Sequence, residues 1–128
     1  MMEKIFERII MPVDGSESSK RSAKKAIYLA KQMKVELIAL YVVHIPISAY
    51  VGAPYSPVIY TDDLEIKEIR EKMNKEGANI LNEIEHEVSK LGIKLTKKIV
   101  EGTPDEEIIN LSKKNDLIVM GAKGISAM

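Results

Sequence analysis

The sequence predicts an α/β fold: a three-layer sandwich in which a parallel sheet lies between helices. Three observations carry that reading. Short apolar runs of strand length alternate with amphipathic helical stripes in the order β-α-β-α-β-α-β. The run from Leu37 to Val43 is continuously apolar, as expected of a parallel strand covered on both faces. The length, 128 residues, suits one domain around one core.

Ile9, Ile10, Met11 and Val13 form an apolar run broken by Pro12 and ending at Asp14-Gly15-Ser16, which predicts a buried strand over 5–13 and then a turn. Asp14, with Glu17 three residues later, reads as a helix N-cap with its capping-box partner. Ala23, Ala26, Ile27, Ala30 and Met33 recur at spacings of three and four, predicting a helix over 16–33 with Lys20, Lys24, Lys25 and Lys31 toward water. The second strand covers 37–43. Residues 45–62 carry Pro46, Pro54, Pro57, Gly52 and Tyr50, Tyr55 and Tyr60, and read as a long connection, either a lid or a variable loop.

A second helical stripe runs through Ile66, Ile69, Met73, Ile80, Ile84, Val88 and Leu91, interrupted where Gly77 stands in register. Gly92 is placed to end it, and 93–100 reads as the third strand. Thr103-Pro104-Asp105-Glu106 combines an N-cap threonine, proline at the first helical position and glutamate three residues after the cap, so a helix opens there and runs to about Lys114. Leu117 to Met120 is the fourth strand, stopping at Gly121. Crossovers between parallel strands are right-handed, and ligands of such sheets bind beyond the carboxyl ends of the strands. Pro12 to Ser19, Val42 to His44 and Met120 to Gly124 are therefore the segments on which function is expected.

Composition narrows the chemistry. Nineteen Lys plus Arg balance nineteen Asp plus Glu, so no global field draws the chain to nucleic acid or an anionic membrane, and an anionic ligand must be held by local geometry. Cysteine is absent, which excludes disulfides, thiolate metal sites and a cysteine nucleophile, and makes the cytoplasm the expected compartment. The N-terminal stretch lacks the apolar length and small-residue cleavage site of a signal peptide, and no window approaches the ~20 apolar residues of a membrane span.

Within the candidate segments, Asp14 either caps a helix or accepts hydrogen bonds from a base or sugar, and both roles are compatible. Gly121-Ala122-Lys123-Gly124 is either a tight turn or a place where backbone N–H groups approach a ribose or phosphate. His44 and His86 stand in no ligand-spaced cluster, so no zinc or other metal site is expected in the protein itself. Ser16, Ser18 and Ser19 read as helix-start residues, and no Ser-His-Asp arrangement can be assembled. G-x-x-x-x-G-K-[ST] and G-x-G-x-x-G are both absent.

Ile9-Ile10-Met11-Pro12-Val13-Asp14-Gly15-Ser16-Glu17, the Glu101-Gly102-Thr103-Pro104 step and Asp116-Leu117-Ile118-Val119-Met120-Gly121-Ala122-Lys123-Gly124 together resemble the universal stress protein family, across essentially the whole chain. The resemblance implies a Rossmann-like sheet of the adenine nucleotide alpha hydrolase type, ATP as ligand, often with Mg or Mn, and a homodimer. By position it implies Pro12, Val13, Asp14 and Val42 around adenine and ribose, and Met120, Gly121 and Gly124 toward ribose and phosphates. The family pattern continues after the second glycine with a Gly-Ser or Gly-Thr pair and a fifth strand. This sequence stops at Met128, so the expectation is a single domain over 1–128 whose fifth strand lies beyond Met128; without it Leu117 to Met120 would be an open hydrophobic edge.

The function expected is an ATP-binding regulatory module in a stress response. With no general base evident, hydrolysis should be slow or incidental. The alternative is a dimeric interaction module of the same family that binds no nucleotide. An enzyme of the wider adenine-nucleotide hydrolase group would need a glycine- and serine-rich loop after strand one, to which Asp14-Gly15-Ser16-Glu17-Ser18-Ser19 is only faintly similar. A phosphoacceptor receiver domain is disfavoured because Val100-Glu101-Gly102 offers no acceptor aspartate.

Overall fold

The computed structural model describes residues 5–45 and 64–121. They form β1 (Arg8–Pro12), α1 (Glu17–Met33), β2 (Glu36–Val43), α2 (Leu64–Val88), β3 (Leu95–Glu101), α3 (Pro104–Leu111) and β4 (Asp116–Ile118). The strands make one parallel sheet in the order β3-β2-β1-β4. β1 is interior: Ile10 pairs with Ile38 on one side and Ile118 on the other, and Ile9, Ile10 and Met11 are wholly buried.

Strand order decides where the helices go. The steps β1 to β2 and β2 to β3 advance in one direction, so right-handed crossovers put α1 and α2 on the same face. There Ile9, Met11, Val13, Leu37, Ala39, Tyr41 and Val43 pack with Ala23, Ala26, Ile27 and Ala30 of α1 and Ile66, Leu81, Ile84 and Val88 of α2. The step from β3 to β4 returns across the sheet and carries α3, with its buried Ile108, to the opposite face. The α/β sandwich expected from the sequence is the fold observed.

Gly77 sits on the buried face of α2 because the Tyr41 ring lies directly over it, in the space a Cβ would need. A helical stripe that seemed interrupted is thus a shaped contact between helix and sheet.

Several boundaries differ from those the sequence suggested. α1 starts from Ser16, whose side chain accepts from Ser19 N at 3.1 Å, and not from Asp14, which forms a turn by accepting from Ser16 N at 2.9 Å. α2 ends at Val88, β3 begins at Leu95, and Thr103 occupies the N-cap of α3 without a side-chain capping bond. α3 stops at Leu111 rather than near Lys114 because the Asp116 carboxylate accepts from Lys113 N at 2.7 Å and turns the chain into β4. β4 itself spans Asp116–Ile118 and leaves the sheet after one further bond, Val119 N to Ile10 O at 3.0 Å. Among the described residues, no helix is long and apolar enough to cross a membrane.

Candidate functional site

β1 and β4 are neighbours, but the helix that follows β1 and the helix that precedes β4 lie on opposite faces of the sheet. Such a reversal opens a crevice beyond the carboxyl ends of the two strands, the general ligand position of open α/β sheets. A cavity of about 190 Å3 lies there. Pro12, Val13 and Asp14 enter it from the end of β1, Val42 from β2, and Met120 and Gly121 from the segment after β4. Six of the seven residues singled out in the sequence therefore meet at one place. The seventh, Gly124, lies outside the described residues, as does Lys123.

The β1–α1 turn is held by a chain of short hydrogen bonds. Asp14 N donates to Ser19 Oγ at 3.1 Å, Ser16 N donates to Asp14 Oδ1 at 2.9 Å, and Ser19 N donates to Ser16 Oγ at 3.1 Å. Val13 N donates to Leu40 O at 2.9 Å, so the strand keeps its register to the lip of the cavity. On the opposite lip, Gly121 lies against Ser18: a Cβ there would meet the Ser18 hydroxyl and come within 3.1 Å of its backbone carbonyl oxygen. Only glycine fits at that approach without moving the first turn of α1.

Apolar and polar groups divide the lining. Pro12, Val42, Leu40, Ile108 and Met120 give it an apolar surface, while Ser16, Ser18 and the Asp14 carboxylate give it acceptors and hydroxyl groups. That combination suits a flat ligand with polar edges. Asp14 also contributes to the field around Tyr41: burial, then the charges of Glu76 and Asp14, raise the Tyr41 hydroxyl above its ordinary value. Outside the crevice, His44 Nδ1 lies 3.1 Å from Gly102 O, and a groove of about 380 Å3 runs between α1 and α2, with Lys20, Arg21 and Lys24 on one side and Glu83 and Glu87 on the other.

The family model for the universal stress protein family matches residues 5–128. The chain belongs to the universal stress protein family. It is similar to the universal stress protein MJ0531 of Methanocaldococcus jannaschii, with 36% identity over 124 residues, 95% of this chain and 68% of that one. Among solved structures it is similar in fold to the universal stress protein UspA from Lactobacillus plantarum, with a TM-score of 0.72 and 24% identity over 89% of this chain and 75% of the other. It is likewise similar in fold to a universal stress protein solved in complex with cAMP, with a TM-score of 0.64 and 23% identity over 95% and 80% of the two chains.

In this universal stress protein the cavity is completed by Ser16, Ser18 and Ser19, which the sequence offered only as helix-start residues, and by Leu40, Pro104 and Ile108, which it did not single out as site residues. Leu40 was signalled by its place two residues before Val42 on a strand, where side chains alternate faces. Pro104 and Ile108 were not signalled, because the face taken by α3 follows from strand order.

Proposed function

We propose that this universal stress protein is a regulatory module that binds an adenine nucleotide in the crevice between β1 and β4. One observation supports this above all: Pro12, Val13, Asp14, Val42, Met120 and Gly121, drawn from three separate stretches of sequence, line a single cavity at the reversal point of the sheet. The fold neighbour in complex with cAMP makes an adenine ligand a natural candidate. ATP is the nucleotide proposed.

The cavity fits part of such a ligand. At about 190 Å3 it is smaller than the ~300–1,000 Å3 of typical ligand pockets, so adenine and ribose would occupy it while the phosphates extend past Gly121. Pro12, Val13 and Val42 would flank the base. Asp14 would accept from base or sugar, and Met120 and Gly121 would bound the ribose. The close approach at Gly121 leaves a backbone surface where a side chain would otherwise project. Among the described residues no group of three acidic or histidine side chains is placed to hold a metal ion, so Mg2+ or Mn2+ would arrive on the nucleotide's phosphates.

Occupancy would act by altering a surface that the crevice presents to a partner, with a second copy of the chain and the cytoplasm as the expected context. The test is calorimetric titration of ATP, AMP and cAMP, each with and without Mg2+, into the wild type and Asp14→Ala. Saturable binding that Asp14→Ala weakens supports the reading. Absence of binding for all three nucleotides would shift the assignment to an interaction module that binds none.

A further inference from the structure

We infer that Ser19 is the positioning residue of the crevice, holding Asp14 where it meets a ligand; this rests on the nucleotide-binding reading above. Ser19 is the third residue of α1 and stands four residues before Ala23 on the buried stripe that continues through Ala26, Ile27 and Ala30. Packing alone would place an apolar side chain there. Instead the position carries a hydroxyl in a residue only 6% exposed, and a buried hydroxyl is costly unless it is bonded.

The direction of its bond is the informative point. A serine within a helix usually turns its hydroxyl back onto its own helix, as Ser22 does by donating to Ser19 O at 2.9 Å. The Ser19 hydroxyl leaves the helix and accepts from the backbone N–H of Asp14 at 3.1 Å. With Ser16 N on Asp14 Oδ1 and Ser19 N on Ser16 Oγ, Asp14 is gripped at both its backbone and its side chain by the first turn of α1. That same turn abuts Gly121 through Ser18, so both lips of the crevice are referenced to one rigid element. Removing the Ser19 hydroxyl strands a backbone donor and frees the Asp14 backbone to swing.

Ser22 provides a matched control: equally buried, one turn along and bonded only within its own helix. Ser19→Thr is the conservative variant, because it keeps a hydroxyl able to accept from Asp14 N. The experiment measures ATP affinity by calorimetry and Asp14 amide hydrogen exchange by NMR in the full chain, for wild type, Ser19→Ala, Ser19→Thr, Ser22→Ala, Asp14→Ala and the Asp14→Ala/Ser19→Ala pair.

Ser19→Ala should weaken ATP roughly tenfold and speed exchange at Asp14, while Ser19→Thr and Ser22→Ala stay near wild type in affinity. In the Asp14→Ala background the added loss from Ser19→Ala should disappear, since Ser19 acts through Asp14. Equal loss for Ser19→Ala and Ser22→Ala, or additive losses in the pair, overturns the positioning role while leaving nucleotide binding intact. A wild type that binds no adenine nucleotide overturns both.

Discussion

Arg8 and Asp116 clasp each other across the first residues of β1 and β4, with Nε to Oδ1 at 2.9 Å and Nη2 to Oδ2 at 2.6 Å. Their Cα positions are also register partners in the sheet. The pair pins the amino ends of the two strands whose carboxyl ends bound the candidate site. Arg8 reaches on to Leu111 O at 3.3 Å, and Asp116 accepts from Lys113 N, so one carboxylate joins strand, helix end and turn.

Asp116→Ala should therefore cost about 2–4 kcal/mol, because it leaves the guanidinium and the Lys113 N–H without their acceptor. The hydrogen bond from Arg8, then that from Lys113 N and the nearby positive charges, hold the Asp116 carboxyl below its ordinary 3.8, against the opposing effect of burial. A depressed folded-state value means that the stabilisation is fully present above about 3.8 and fades as pH falls through the folded value. The difference in urea midpoint between wild type and Asp116→Asn should be constant from neutral pH to about pH 5 and shrink below pH 4. A difference that does not change with pH would contradict this.

Gly77→Ala should destabilise the protein by about 1–3 kcal/mol, although the same change in an exposed helix would stabilise it. The Tyr41 ring occupies the position of the added methyl. Chemical denaturation of Gly77→Ala, alone and with Tyr41→Leu, measures this: the smaller, more adaptable partner should recover part of the loss.

Ultraviolet titration should find Tyr41 ionising later than its ordinary value, and Tyr41→Phe should remove that step. Burial first, then Glu76 and Asp14, oppose a phenolate at Tyr41. A raised folded-state value also means that Tyr41 stabilises the fold fully below 10.0 and that this contribution is lost as pH rises through the folded value. Addition of a ligand that covers Asp14 should shift the late step.

Arg70 and Glu101 also make two contacts, at 2.7 and 3.3 Å, joining α2 to the end of β3, but both side chains are over a third exposed. Glu101→Gln should cost only about 0.2–1 kcal/mol, and the cost should diminish in 1 M salt. The comparison with Asp116 separates a solvated pair from a sheltered one.

Gly121→Ala should weaken ATP at least tenfold, an effect of about 1.4 kcal/mol, because the new methyl must displace Ser18 from the lip. Calorimetry at matched stability decides it; unchanged affinity would place the ligand elsewhere.

Much of this molecule was legible in its sequence, and the illegible parts share a cause. The seven elements declared themselves through local periodicity, and positions such as Val13 and Gly121 fell at strand ends because element order puts them there. Two good capping residues, Asp14 and Ser16, stand two apart, and local chemistry could not choose between them. The folded geometry chose Ser16, whose hydroxyl accepts from Ser19 N, while the Asp14 carboxylate accepts from Ser16 N. Gly77 read as a flaw in a stripe until Tyr41 was seen above it. The clasp between Arg8 and Asp116 spans 108 positions, beyond the reach of any pattern along the chain.

The strand order carries a consequence for how the molecule matures. β1 and β2, joined through α1, can pair early, but β1 must wait for β4 before its second edge is closed. Contacts between such distant segments form late, since the chain entropy of bringing them together is lost before the pairing repays it. The crevice between these strands cannot exist until that last step is complete. A ligand captured there would bind only finished molecules, and by mass action would hold the late pairing shut.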